Sequence, residues 1–344
     1  MSTSKTAYGF EFGLLILVLL SSFLLSVSLG SVSIPFSDTI KILVGGTVEN
    51  TSWRYILMDY RLPKAFTAIL VGGGLAVSGL VMQTLFRNPL AGPFVLGISS
   101  GASLGAAMLL MGSALFTRYI FMETANDISM SVAASLGSFL VLSIVVTMAN
   151  KVRDTMTLLI IGLMFGSITA ALVSVLAYFS DAAQLQRFIF WSFGSVGSLS
   201  WSQVGVLACT VAAGLVCAVL AIKSLNALLM GELYAKSLGV PLKKFKTLII
   251  VATGLLAGGI TAFAGPIAFV GLAVPHLTRQ LITTMDHRIL IPAVFLYGAI
   301  LMLLCDTVSQ LPNSAKVLPI NAITSLIGAP VVIWLLVRKR KLLF

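Results

Sequence analysis

The chain has 344 residues, of which 58% are hydrophobic and 10% are charged, and its mean hydropathy is +1.06. A soluble protein of this length needs a charged surface that so few charged residues cannot provide, so a water-soluble fold is excluded. Lys and Arg outnumber Asp and Glu by 22 to 11, which gives a net charge of +11. Membrane topology explains this excess below, and no nucleic-acid partner is predicted.

Ten uncharged, mostly apolar runs are predicted to span a lipid bilayer, whose hydrocarbon core is about 30 Å thick. They are residues 13–33, 65–85, 94–112, 128–149, 156–179, 201–222, 247–264, 267–278, 289–305 and 320–337. The first run is longer than the apolar part of a signal peptide and no A-x-A site follows it, so it is predicted to remain as a helix. The sequence therefore predicts an all-α polytopic membrane protein with about ten transmembrane helices in a single domain, residues 1–344.

The distribution of charge predicts the orientation of the chain. An even number of spans places both termini on one side of the membrane, and the segments on that side carry fifteen Lys and Arg residues against seven on the other. Because positively charged segments stay on the cytoplasmic side, both termini are predicted to be cytoplasmic. By these spans, no Asp, Glu, Lys or Arg lies in the interior of a helix.

Small residues recur at helical spacing in the third span. Gly97, Gly101 and Gly105 are four residues apart and share one face of a helix. In lipid such a face lets two backbones approach closely, so these glycines are predicted to mediate helix packing.

Two stretches of the chain resemble each other weakly. GGLAVSG followed by GPFVLG has a counterpart in GLLAGG followed by GPIAFVG. Five spans separate the two stretches, so they would lie in opposite orientations. Inverted repeats with short or broken helices are a recurrent design of transporters, and the pattern predicts a weak repeat of this kind.

The longest inner segment, residues 223–246, is predicted to be amphipathic. Gly231 and Gly239 separate two short helical pieces, and apolar residues fall between polar ones at Leu228, Leu229, Leu233 and Leu238. A solvated connection would not need this apolar face, so the segment is interpreted as a docking surface for a soluble partner. The alternative is an interfacial helix that rests on lipid.

Cations cluster on the outer side, where the second span begins. Arg54, Arg61 and Lys64 lie there among interfacial aromatic residues, so anchoring to lipid headgroups is one interpretation of them. After the fifth span, a short interfacial helix is predicted around residues 186–193.

The sequence patterns needed for catalysis, nucleotide hydrolysis or metal binding are missing. The sequence holds no Gly-Lys-Ser/Thr phosphate loop, and the only acidic pair close in sequence, Glu123 and Asp127, lies outside the spans. His276 and His287 are eleven residues apart, and a lone membrane histidine is more often structural than a metal ligand, while the three cysteines form no CxxC pair. No catalytic residue, metal site or cofactor is therefore predicted in this chain. The pattern indicates a pathway whose energy source is a separate protein, which could attach at the inner segment.

Five motifs carry a resemblance to a known family, and they occur in the expected order over residues 10–338. They are RLPK, SGLVMQTLFRNPLAGPFVLGISSGASLG, GELYAKSLGV, AGPIAFVGLAVPHLTR and LPINAITSLIGAP. The chain resembles the FecCD-type permeases, the membrane subunits of type II ABC importers for ferric siderophores, haem and cobalamin. The resemblance implies a bacterial inner-membrane protein that pairs with a second permease subunit, identical or paralogous. It also implies two cytoplasmic ATPase subunits, which would bind ATP and Mg²⁺, and a periplasmic or lipid-anchored binding protein.

The resemblance assigns roles to particular residues. Those matching the family's ATPase-coupling segment are Gly231, Glu232, Ala235, Leu238 and Gly239. Arg61 and Lys64 match its outer basic pair, which meets glutamates of the binding protein, and Arg54 is a further docking candidate. Lysine stands at position 64 where arginine is common, and a third docking cation is replaced here by Gln310 or Lys316.

Two other classes of function fit the sequence less well than an ABC importer permease. A secondary transporter driven by an ion gradient would need acidic residues within the membrane, and the predicted spans contain none. An intramembrane enzyme acting on lipid would need a set of catalytic residues, and the sequence predicts none.

Overall fold

A computed structural model describes residues 8–48, 50–112, 127–152, 155–310 and 317–337. Within these ranges the chain forms sixteen α-helices joined by short turns. They are α1 (Gly9–Ser28), α2 (Phe36–Leu43), α3 (Thr51–Tyr55), α4 (Leu62–Phe86), α5 (Ile98–Met111), α6 (Asp127–Lys151), α7 (Thr155–Phe179), α8 (Ala182–Ser192), α9 (Trp201–Leu220), α10 (Ile222–Leu228), α11 (Glu232–Ser237), α12 (Leu242–Thr253), α13 (Gly259–Ala264), α14 (Val270–Leu281), α15 (His287–Ser309) and α16 (Ile320–Val337). Two π-helical turns, Ile56–Arg61 and Gly254–Gly258, join α3 to α4 and α12 to α13.

Seven helical stretches among the described residues are long and apolar enough to cross a membrane. They are Gly9–Ser28, Thr51–Phe86, Ile128–Lys151, Thr155–Phe179, Trp201–Leu220, Leu242–Ala264 and His287–Ser309. The shorter helices α5, α14 and α16 occupy the other three predicted spans. The predicted class, an all-α polytopic membrane protein, is confirmed.

Several predicted helix boundaries are wrong. The first membrane helix is Gly9–Ser28, not residues 13–33, and α14 continues past residue 278 to Leu281. The second membrane helix begins at Thr51, not at residue 65, because the Asn50 side chain caps it by accepting from the Ser52 N–H at 3.0 Å. The ninth continues past residue 305 to Ser309. The expectation that no charged residue lies in a helix interior is therefore also wrong, since Asp306 is buried in the last turns of α15.

The helix α4 lies at the centre of the bundle, and 21 of its 25 residues are buried. Its glycines allow neighbouring backbones to approach closely. A Cβ atom on Gly72 would lie 2.2 Å from the Gly298 carbonyl oxygen of α15, and one on Gly79 would lie 1.6 Å from the Gly271 oxygen of α14. Only glycine fits at such contacts, so α4 packs against both helices through backbone.

The small-residue stripe of the third predicted span packs against two helices. A Cβ atom on Gly101 would lie 2.6 Å from the Gly137 oxygen of α6, and one on Gly105 would lie 2.1 Å from the Ala133 oxygen. Gly97 precedes α5 with a φ of 72°, and it faces Gly162 of α7. A positive φ favours glycine at this position as well.

The two weakly similar stretches of sequence share a local structure. In each stretch, a long buried helix is followed by a Gly-Pro break. A residue in the left-handed conformation comes next and begins a short helix. That residue is Gly97 before α5 and Phe269, with a φ of 66°, before α14. The two stretches thus share a local backbone geometry, and their opposite orientation stays a prediction.

The short interfacial helix predicted around residues 186–193 is α8, and it begins earlier than expected. Asp181 and Gln184 form a capping box that starts the helix at Ala182. Beside it, a cavity of about 380 Å³ is lined by residues of α5, α6, α8 and α13 and of the turns after α8 and α13. Arg187, Phe190 and Trp191 contribute its cationic and aromatic side chains.

Candidate functional site

Two of the three predicted outer cations, Arg61 and Lys64, line a recess of about 280 Å³ at one end of the bundle. Its lining comprises Gly30, Ser31, Val32, Ile56, Tyr60, Arg61, Lys64, Gly197, Gln310 and Val317. The recess thus brings together the basic pair and the glutamine that the sequence had suggested as a substitute for a third cation. The other suggested substitute, Lys316, lies outside the described residues.

Arg61 forms part of the recess wall and holds the end of α1. Its guanidinium donates hydrogen bonds to the carbonyl oxygens of Val27 at 2.9 Å and Ser28 at 2.7 Å, and to that of Val32. These carbonyls belong to the last turn of α1 and the residues after it, which have no helical N–H partners of their own. A cation at a helix C-terminus is also favourable to the helix dipole. Arg61 therefore stabilises the recess as well as contributing charge to it.

Lys64 is held by a carboxylate from a distant part of the chain. Its Nζ lies 3.0 Å from Asp306 Oδ1, and the Asp306 side chain is 2% exposed while that of Lys64 is 18% exposed. Gln310 Nε2 donates to the other carboxylate oxygen at 2.9 Å. A buried carboxylate thus fixes both polar side chains at the edge of the recess and joins α4 to α15. Sequence reasoning missed Asp306 because it follows an apolar run and was assigned to the outer segment.

Arg54 lies on α3, one helical turn before the recess, and it is exposed. Of the three predicted docking cations it has the greatest access to solvent. The structure therefore places Arg54 on the exposed surface near the recess, Lys64 at the rim and Arg61 in the wall.

The predicted coupling segment forms two short helices, α10 and α11, at the positions that its glycines indicated. Gly231, with a φ of 108°, precedes α11, and Gly239, with a φ of 81°, ends it. Val240 N–H donates to the Ala235 carbonyl at 3.0 Å, and Gly239 N–H donates to that of Lys236 at 3.0 Å. This is a Schellman motif, in which a left-handed residue satisfies the free carbonyls of the helix end.

One face of α11 packs against the bundle and the other is exposed to solvent. Ala235 is fully buried, and Glu232 forms an ion pair with Lys246 of α12 at 3.2 Å. The exposed side carries four large apolar residues, which are 48–87% exposed: Met230, Leu233, Tyr234 and Leu238. A contiguous exposed apolar patch of this kind is typical of a protein or membrane contact.

The two predicted structural histidines both bind other parts of the chain. His276 Nε2 lies 2.8 Å from the Pro89 carbonyl oxygen, and His287 contacts Thr84 and Asn226. Among the described residues, His, Cys, Asp and Glu side chains form no cluster of three that could hold a metal ion.

The fold defines the class of the protein, an all-α polytopic membrane protein. The family model for the FecCD transport family matches residues 16–338. The chain is 36% identical to the vitamin B12 import system permease protein BtuC of Klebsiella pneumoniae subsp. pneumoniae, covering 95% of this chain and 93% of the relative. It is 34% identical to the hemin transport system permease protein HmuU of Yersinia pestis, covering 96% of each.

A solved structure shows the same fold. It is described as an inward-facing conformation of a metal-chelate type ABC transporter, with a TM-score of 0.80 and 31% identity over 96% of this chain and 99% of that one. The chain therefore belongs to the FecCD transport family. It is the multi-pass permease subunit of an ABC importer, homologous to bacterial inner-membrane permeases, and the ATP is bound by a partner ATPase.

Proposed function

We propose that this permease imports a bulky metal chelate of the siderophore, haem or cobalamin kind by ATP-driven alternating access. The observation that carries the proposal is full-length similarity to relatives named for vitamin B12 and hemin transport. The cargo passes between two permease subunits, identical or paralogous, and no bond in it is made or broken. A path lined by small and apolar residues binds such a cargo weakly enough to let it leave.

The outer recess is the docking site of a periplasmic or lipid-anchored binding protein. Arg54 and the exposed part of Lys64 are cations that carboxylates on the partner can reach, and Arg61 adds positive charge to the wall. Charge pairs at the rim of an interface chiefly guide encounter and register. Lysine lacks the planar fork of arginine, so Lys64 contributes less geometric specificity than an arginine would.

The coupling segment, residues 223–246, docks on a cytoplasmic ATPase subunit. The complex has two permease subunits and two ATPase subunits, so each permease binds one ATPase. The exposed apolar side of α11 supports this role, because a short amphipathic helix in a groove is a common mode of protein recognition. Gly231 and Gly239 set the direction of the helix, Ala235 and Glu232 anchor it, and Leu238 lies on the contact side. Nucleotide-driven closure of the ATPases would then move the bundle. Both chain termini are cytoplasmic in this arrangement.

Uptake into proteoliposomes tests the choice of cargo. The permease is reconstituted with its cognate ATPase and binding protein, and cobalamin, haem and a ferric siderophore are supplied in turn with ATP. We expect one of these three chelates to accumulate and the corresponding metal-free compound to accumulate less. Accumulation of none of them, with uptake of a simple ion or amino acid instead, would contradict the proposal.

A further inference from the structure

A buried polar network joins three helices at the coupling end of the bundle. His287, the first residue of α15, is 0% exposed, and both of its ring nitrogens have partners. Nε2 lies 2.9 Å from Thr84 Oγ1 in the last turn of α4, and Nδ1 lies 2.7 Å from Asn226 Oδ1 on α10. One imidazole ring therefore contacts both a central membrane helix and the segment that leads into α11.

The directions of these hydrogen bonds follow from Asp286, the residue that caps α15. Asn226 Nδ2 donates to Asp286 Oδ1 at 2.6 Å, because an ionised carboxylate only accepts. Burial raises the pKa of Asp286, but hydrogen bonds from the Arg288 N–H and Asn226 lower the pKa by more, so the carboxylate is ionised at neutral pH. Asn226 Oδ1 then faces His287 and accepts from its backbone N–H at 3.0 Å and from Nδ1. In the neutral ring, Nε2 is an acceptor, and the single hydroxyl proton of Thr84 is shared between Nε2 at 2.9 Å and the Leu80 carbonyl oxygen at 3.0 Å.

The two helices that meet at His287 are also joined along their length. At the opposite end of the bundle, Lys64 of α4 forms its ion pair with Asp306 of α15 at 3.0 Å. Midway, Gly72 and Gly298 bring the two backbones into direct contact. Helices fixed to each other at three levels move as one unit, because packed interiors transmit displacement and do not absorb it.

We propose that Asn226 is a positioning residue for transport, which fastens the coupling segment to the rigid α4–α15 pair through His287 and Thr84. Asn226 lies five residues before Gly231, so a displacement of α11 by an ATPase reaches α10 directly and then both helices. The same pair carries Lys64 of the outer recess, so the network links the two docking surfaces. This inference rests on the proposed function, since it needs an ATPase to move α11.

Exchanging the amide and the carboxylate tests the network. Asn226→Asp places two carboxylates at the 2.6 Å contact and breaks it, whereas Asn226→Asp combined with Asp286→Asn restores one acceptor and one donor in exchanged positions. Thr84→Val removes the hydroxyl contacts to His287 and to the Leu80 carbonyl of its own helix, and it keeps the shape of the side chain. Thr247→Val is the matched control, because its hydroxyl joins α12 to Asn150 of α6 on an exposed face outside the network.

The readout is cargo taken up per ATP hydrolysed, in proteoliposomes that contain the permease, its ATPase and its binding protein. We expect Asn226→Asp to assemble and to lower this ratio about tenfold, within the usual range of coupling free energies. Thr84→Val should lower it less, the exchanged pair should recover most of it, and Thr247→Val should match the wild type.

Three results would overturn the inference. The first is an unchanged ratio in both Asn226→Asp and Thr84→Val. The second is an exchanged pair that recovers nothing. The third is a loss of assembly in parallel with uptake, because the network would then serve folding alone. A wild-type complex that takes up no chelate with ATP would instead overturn the proposed function.

Discussion

Asp306 and Lys64 form an ion pair in a part of the bundle where an isolated charge would be unstable. Moving either charge out of water costs several kcal/mol. This cost is offset only where the pair has good geometry and additional hydrogen bonds. Here the partners of the carboxylate include Lys64 at 3.0 Å and Gln310 at 2.9 Å. The pair therefore stabilises the contact between α4 and α15 while it leaves part of Lys64 accessible at the recess.

Replacing Asp306 by Asn should destabilise the permease by about 3 kcal/mol, the lower end of the cost of breaking a buried ion pair, because Lys64 would lose its partner while its side chain is only 18% exposed. Thermal unfolding of the purified protein in detergent measures the change. The double variant with Lys64→Met is the control, and its loss should be smaller than the sum of the two single losses. Strict additivity would show that the two side chains do not interact.

Gly79→Ala should destabilise the bundle by about 1–3 kcal/mol, the usual cost of overpacking a core. The added methyl group would lie 1.6 Å from the Gly271 oxygen, so α4 and α14 must separate. Gly205→Ala is the matched control, because nothing lies within 4 Å of its Cβ position on α9. The control should be neutral or stabilising, since alanine favours a helix by about 1 kcal/mol over glycine. Equal unfolding temperatures for the two variants would contradict this packing.

At the scale of the element, α11 presents apolar side chains to solvent on one side only. Leu233→Glu should lower the affinity for the ATPase subunit about tenfold or more, because a charge would enter an apolar contact. The fold should be unaffected, since Leu233 is 87% exposed. Co-purification and titration of the ATPase with the permease measure the effect.

Val44→Glu is the control for this substitution, because Val44 is 79% exposed on the connection that follows α2, on the predicted outer side. It changes the same kind of side chain at the face opposite the ATPases, so ATPase affinity should not change. Equal losses in the two variants, or none in either, would contradict the coupling role of α11.

Sequence patterns predicted the elements better than their ends. Apolar runs indicated the ten spans, and Gly231 and Gly239 indicated the two ends of α11. Boundaries failed at Thr51 and Ser309, because hydropathy ends a span at the first charged residue. The second membrane helix instead extends back to its Asn50 cap, and α15 continues past the paired Asp306. The contact of Asn226 with His287 joins residues 61 apart, so no local pattern could indicate it.

At the scale of the molecule, the distribution of Lys and Arg predicts that the chain ends and α11 lie in the cytoplasm. A cysteine at Val44 should react with a membrane-impermeant maleimide in intact cells, and one at Leu233 should react only after the membrane is opened. The labelling is done in a variant without Cys209, Cys217 and Cys305. Labelling of the Leu233 position in intact cells would invert the topology.

The central claim is that this chain provides the path and its partners provide the energy. The most direct test compares energy sources in proteoliposomes that contain the permease with or without its ATPase and binding protein. We expect chelate to accumulate only in the complete complex with ATP, and to be unaffected when ion gradients are collapsed. Accumulation by the permease alone, driven by an ion gradient without nucleotide, would contradict the account.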